Sequence, residues 1–178
     1  MAIVCGLEKE RSNPVVFKGS DSAHDLIGRV FKALLAAIVA VVVIYAFVPN
    51  AYQYLMPISW FERTWIKLTA IVLLLVSLLW TILAQAQMGN SWRIGIDTDH
   101  RTELVQNGVF KISRNPIFVG MILTLFGLFL VIPNGGTLVT LIVGIILIGI
   151  QVRLEEEYLA KTHGDDYIKY RRNVRRWI

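Results

Sequence analysis

Four apolar stretches limit what this chain can fold into: Val30–Val48, Leu68–Ala84, Ile117–Ile132 and Thr137–Ile150. Lys32 is the one charge inside them. A helix with one face in water carries a polar stripe, whereas a helix apolar on every side belongs in lipid. Each run approaches the roughly 20 residues needed to cross a hydrocarbon core of about 30 Å. The last two runs cannot form one span, because a helix through both would be about 50 Å long. Pro133-Asn134-Gly135-Gly136 divides them with a strong turn signal. The expected fold is therefore all-α: an integral membrane bundle of about four transmembrane helices, with a polar loop and a helical C-terminal tail. Residues 1–29 read as an N-terminal arm, 30–86 as the first two membrane helices, and 87–178 as the catalytic part.

The chain has 178 residues, of which 17% are charged. Soluble domains carry nearer a quarter. The net charge of +5 is basic enough to raise nucleic acid as a partner, but the apolar runs exclude a nucleic-acid-binding domain. Membrane topology explains the excess better. With the N-terminus inside, fifteen lysines and arginines fall in inside segments, and only Arg63 and Lys67 fall outside. That bias predicts cytoplasmic N- and C-termini in an inner membrane of bacterial type. The single Cys5 forbids an internal disulfide, and the sequence has no Cys/His spacing that calls for a metal. The polar first 27 residues, with no small-residue cleavage site after the first run, predict that this run stays as an anchor. Tyr52, Tyr54, Trp60, Phe61 and Trp65 fit an aromatic belt at the interface.

The chemistry-bearing residues lie in two places. The polar stretch 87–116 ends in Gly108-Val109-Phe110-Lys111-Ile112-Ser113-Arg114-Asn115-Pro116. Pro116 suits a first helical turn, and Asn115 before it is held extended. Its side chain and the helix start offer donors to an anion, or a plain cap with Arg114 as a membrane-face anchor. The tail from residue 151 should continue the fourth helix to about residue 162, break at Gly164, and resume as a short helix capped by Asp165 or Asp166. Its apolar stripe would be Val152, Leu159, Tyr167, Tyr170, Val174 and Trp177. Arg153, Glu155, Glu156 and Glu157 leave the membrane together, and three carboxylates there must reach water or a cation. An even number of crossings separates loop from tail, so both must lie on one membrane face.

The loop ELVQNGVFKISRNPIFVG resembles the L-V-x-x-G-x-Y/F-x-x-x-R-H/N-P-x-Y/F-x-G motif of the isoprenylcysteine carboxyl methyltransferase family. The tail resembles that family's E-E-x-x-L-x-x-x-x-G-x-x-Y-x-x-Y-x-x-x-V motif through Glu155, Glu156, Leu159, Gly164, Tyr167, Tyr170 and Val174. MGNSWRIGID is similar to a segment that bacterial members carry upstream, so the likeness runs over residues 85–175. It implies an S-adenosylmethionine-dependent membrane methyltransferase acting on a lipophilic or lipid acceptor. The implied cofactor contacts are Glu103, Leu104, Val105, Phe110, Asn115, Pro116, Ile117, Phe118 and Glu156. Gly108, Arg114, Glu155, Tyr167 and Tyr170 of the same motifs join them. Glu156 would hold the cofactor's ammonium and Asn115 its carboxylate, with Arg153 facing the acceptor. Phe110, Phe118 and Tyr167 would face adenine or the sulfonium. Asn115 replaces the commoner His, Phe118 replaces Tyr and lacks its hydroxyl, and the terminal Ile-Pro is missing. Two other readings compete: an NADPH-dependent membrane reductase, whose family is much longer, and a non-catalytic helical membrane protein.

Overall fold

The computed structural model describes residues 23–89 and 104–178. Expectations for Cys5, Glu103 and most of MGNSWRIGID lie outside the described residues. Those described form helices α1 (Ala23–Phe47), α2 (Pro49–Tyr52), α3 (Thr64–Met88), α4 (Pro116–Val131), α5 (Gly135–His163) and α6 (Asp165–Asn173), with short 3-10 turns at Gln53–Leu55, Ser59–Phe61 and Gly108–Lys111. Among the described residues there is no strand, only an isolated bridge between Pro57 and Asn134. Three helical segments are long and apolar enough to cross a membrane: Leu26–Phe47, Thr64–Met88 and Gly135–His163. The fourth apolar helix, α4, has 16 residues, or about 24 Å, and falls short of a full hydrocarbon core.

Small residues bring α3 and α4 together. The buried positions of α3 are Ala70, Ser77 and Ala84, seven apart. The Cβ site of Gly127 lies 3.5 Å from the Ala70 carbonyl and that of Gly120 3.5 Å from the Ser77 carbonyl, so the two helices run antiparallel. Without side chains in the way, hydroxyls bridge the backbones, a common device where lipid offers no hydrophobic drive between helices. Ser77 Oγ and Thr124 Oγ1 both donate to the Gly120 carbonyl, at 2.7 and 3.0 Å. Most of α3's other large side chains, among them Leu68, Ile71, Leu75, Leu79 and Ile82, are exposed, as a lipid-facing surface requires.

The turn between α4 and α5 folds as the Pro-Asn-Gly-Gly signal predicts. Asn134 caps α5 through a capping box: Thr137 N–H donates to Asn134 Oδ1 (2.9 Å) and Asn134 N–H to Thr137 Oγ1 (3.2 Å). Ile58 N–H donates to the Pro133 carbonyl (2.8 Å) and Gly135 N–H to the Met56 carbonyl (3.2 Å), which closes this end of the bundle. Leu125, Phe129, Leu141, Ile148 and Val152 form the core between α4 and α5. Helix α1 packs on α5, with Leu34 beside Gly144 and Val41 beside Gly136, and its Phe31 and Ile38 reach the α4–α5 core. The principal helix contacts thus run from α3 to α4, from α4 to α5 and from α5 to α1. At the other end lie the start of α1, the end of α3, the start of α4 and the charged end of α5.

Candidate active site

Pro116 opens α4 without a side-chain cap. Asn115, at φ −130° and ψ 52°, is out of the helix but short of the extended backbone expected before a proline, and its side-chain amide makes tertiary contacts instead of a cap. Its Nδ2 donates to Glu156 Oε1 and to the Arg176 carbonyl, both at 3.2 Å. Upstream, Gly108 adopts φ +61°, and a Cβ there would collide with the Gln87 amide. That amide's Oε1 accepts from Val109 N–H at 2.8 Å and pins the loop to the end of α3. Val109 and Phe110 are buried against Ala84, with Val105 and Ile117 packed around them. Trp80 Nε1 donates to the Pro116 carbonyl at 2.8 Å.

The tail folds back over this loop. Helix α5 runs to His163, Gly164 ends it at φ +53°, and α6 follows with Gly164 itself as N-cap. Asp165 and Asp166, expected to cap, sit instead in the first turn, where their charge suits the positive end of the helix. Tyr167 and Tyr170 are buried. Tyr170 Oη donates to the Phe110 carbonyl at 2.6 Å. After α6 the chain is extended at Val174 (φ −124°, ψ 135°). There Arg114 N–H donates to the Arg175 carbonyl (2.9 Å), and Ser113 Oγ to the Arg176 carbonyl (3.3 Å).

Glu156 is the centre of the junction, 5% exposed. Arg176 grips both carboxylate oxygens, with Nε at 3.2 Å from each and NH2 at 2.8 Å from Oε2. Arg114 NH2 lies 3.2 Å from Oε1. Charge-assisted, two-point geometry of this kind makes a strong, oriented pair. The hydrogen bond to Glu156 also raises the Arg176 pKa above its already high ordinary value. Burial, and then the Glu156 charge, push the Tyr167 phenol up to about 12. Burial and the neighbouring Tyr167 do the same for Tyr170.

The structure thus brings Phe110, Arg114, Asn115, Pro116, Glu156, Tyr167 and Tyr170 to one place. Leu104 is half-buried, and Phe118 packs instead into the α4–α5 core. Arg153 is exposed and stays out of the Glu156 cluster. It lines a cavity of about 370 Å³ with Ile122, Ile145, Gly149, Arg176 and Trp177. Arg176 is the residue that sequence reasoning missed. It stood as one of seven basic residues in the tail, and no periodicity singles it out once α6 has ended.

A family model for phospholipid methyltransferases matches residues 65–166, from the start of α3 into α6. The chain belongs to this family. It is a membrane methyltransferase, and the isoprenylcysteine carboxyl methyltransferases are of the same membrane family. No match was found among curated proteins or among solved structures. The matched region of this phospholipid methyltransferase homologue holds Arg114, Asn115 and Glu156 and stops before Arg176.

Proposed function

We propose that the protein transfers a methyl group from S-adenosylmethionine to a lipid acceptor at the cytoplasmic end of the bundle. One observation carries the reading: loop 104–116 and tail 164–178 meet around a buried carboxylate at the mouth of an apolar bundle. The polar atoms there fit the amino-acid part of such a cofactor. Arg114 Nε and the Tyr167 hydroxyl are buried with no hydrogen-bond partner. Groups of that kind are costly unless something completes them. Both can donate to a carboxylate, as can the backbone around Asn115.

When bound, S-adenosylmethionine supplies a methyl group on a positively charged sulfur, which departs as a neutral thioether when an acceptor attacks. The protein's task is then alignment and exclusion of water. Phe110 and Tyr167 supply flat, buried surface for an adenine or a sulfonium. Tyr170 and Arg114 fix the loop that carries Phe110 and Asn115. The cavity at Arg153 suits the acceptor. Ile122 and Ile145 give it apolar walls for a lipid chain, and Arg153 and Arg176 offer cations to an acidic headgroup. The excess of lysine and arginine in the segments at this end supports a cytoplasmic placement.

The test is to incubate purified protein with methyl-labelled S-adenosylmethionine and a native lipid extract, then separate the lipids. Label should enter a lipid species, and S-adenosylhomocysteine should compete while NADPH does not. Absence of transfer to any lipid, with no binding of S-adenosylhomocysteine, would overturn the proposal.

A further inference from the structure

Beyond α6 the chain turns back toward the apolar bundle, and its depth can be read from what it touches. Arg114 N–H donates to the Arg175 carbonyl at 2.9 Å, which holds Arg175 level with the residues just before Pro116. From Pro116 to Val131 α4 carries no charged residue, so its start marks the edge of the hydrocarbon layer. Two residues further along the tail, Trp177 shares a cavity wall with Ile122 and packs against the α4–α5 core. Ile122 lies about 9 Å beyond Pro116 along α4, at 1.5 Å per residue. The tail therefore crosses the edge of the apolar layer between Arg175 and Trp177, and Ile178, 65% exposed, follows it. Arg171, Arg172 and Arg175 precede that crossing, and all three are exposed. Asp165 and Asp166 stand at the opposite end of α6.

We infer that Arg171, Arg172 and Arg175 form a docking surface for anionic phospholipids of the leaflet at this end of the bundle. Guanidinium groups at this depth stand where lipid phosphates lie, because the polar layer extends only about 5–8 Å beyond the hydrocarbon. A guanidinium meets a phosphate through two parallel hydrogen bonds and gives up its water more readily than an ammonium does. Each basic residue near an anionic surface is worth about fivefold in affinity. Trp177, seated against the α4–α5 core, fixes the depth at which the arginines stand. The surface is separate from the cavity proposed for the acceptor, whose cations are Arg153 and Arg176. All three arginines also lie outside the family-matched residues 65–166. Arg175 belongs to the segment bonded to Ser113 and Arg114, so a lipid held there bears on the part of the tail that covers the Glu156 cluster.

The experiment places full-length protein in detergent mixed with equal amounts of phosphatidylglycerol and phosphatidylcholine, and identifies the lipids that stay bound by native mass spectrometry. Wild type should retain phosphatidylglycerol in preference by about fivefold or more, and added salt should erase the preference. Combining Arg171→Gln, Arg172→Gln and Arg175→Gln should abolish it with the melting temperature unchanged, because exposed side chains contribute little to folding. Combining Arg171→Lys, Arg172→Lys and Arg175→Lys, which keeps the charge, should leave most of it. Arg153→Gln, in the acceptor cavity, should leave it intact. Wild type without a preference overturns the inference, as does a combined glutamine variant that keeps the wild-type preference. Loss of the preference in Arg153→Gln would put the lipid in the acceptor cavity and also overturn it. The same holds if inorganic phosphate displaces phosphatidylglycerol at equal concentration, since the surface would then be a site for free anions.

Discussion

Arg176→Met removes the guanidinium that joins the tail to Glu156 and keeps the apolar stem. Its cost can be bounded from the structure. Removing one partner of a buried ion pair typically costs about 3–5 kcal/mol because a charge is stranded. Glu156 is not stranded here, since Arg114 and Asn115 still hold Oε1 at 3.2 Å. The Arg176 side chain is also 36% exposed, against 6% for Glu156, so water screens part of the pair. The loss should lie near the lower end of the range for a hydrogen bond to a charged group, about 1.5 kcal/mol, or roughly tenfold in the population of the opened tail. Hydrogen exchange reads this at one amide. Arg114 N–H is bonded to the Arg175 carbonyl across the junction, whereas Val119 N–H is bonded within the first turn of α4 to Asn115. Protection at Arg114 should fall about tenfold in Arg176→Met while Val119 stays protected. Glu156→Gln, which strands the Arg114 guanidinium at 7% exposure, should lower it further. Unchanged protection at Arg114, or an equal fall at both amides, would refute the idea that this ion pair latches the tail.

Two other outcomes are expected. The Tyr167 and Tyr170 phenols, raised from 10.0 to about 12 by burial, favour the neutral form in the fold. The stability they contribute is fully present below pH 10 and is lost as pH rises through about 12. An alkaline titration followed by tyrosinate absorbance should show late-ionising phenols that Tyr167→Phe and Tyr170→Phe reduce in number, and ionisation of every phenol near pH 10 before unfolding would contradict it. Gly120→Ala puts a methyl group against Thr81 Oγ1, which itself donates to the Ser77 carbonyl at 2.9 Å. Overpacking at the α3–α4 contact should cost about 1–3 kcal/mol and lower the melting temperature, while Gly149→Ala, facing open space, should not.

Much of this architecture is legible before folding because hydropathy and turn chemistry act locally. The apolar runs give the four principal helices, and Pro133 to Gly136 gives the hairpin with Asn134 as its cap. The parity of crossings puts loop and tail at one end. What escapes is whatever depends on three-dimensional register. Ala70, Ser77 and Ala84 look like minor interruptions of an apolar run, yet they are the α3 positions that α4 buries. Glu155 and Glu156 are the same residue type in adjacent places, and only packing decides that one is closed by two arginines. Arg176 lies beyond every helix, and its position follows from backbone bonds between Arg175, Arg176 and the Ser113–Asn115 turn. Likewise Trp80 lies inside the second apolar run and Gln87 opens the polar stretch after it, and nothing in either place marks the hydrogen bond by which each fastens the loop.

The unequal lengths of α4 and α5 explain why the site forms where it does. Both helices spring from the same turn, so Pro116 at the start of α4 stands level with about residue 150 of α5, as the shared wall of Ile122 and Ile145 confirms. Helix α5 continues to His163, about 20 Å further at 1.5 Å per residue. That extension carries Glu155 and Glu156 past the end of α4 and leaves a ledge that α4 does not cover. The loop before Pro116 and the returning tail fill the ledge from two sides, and the charges they bring meet at Glu156. A polar cluster can be buried there because it sits above the short helix, where backbone and side-chain donors are available and lipid is not. A longer α4 would have filled that space with apolar side chains. The short fourth helix, the extended α5 and the folded-back tail are therefore parts of one solution, which seats a charged site at the end of an apolar bundle.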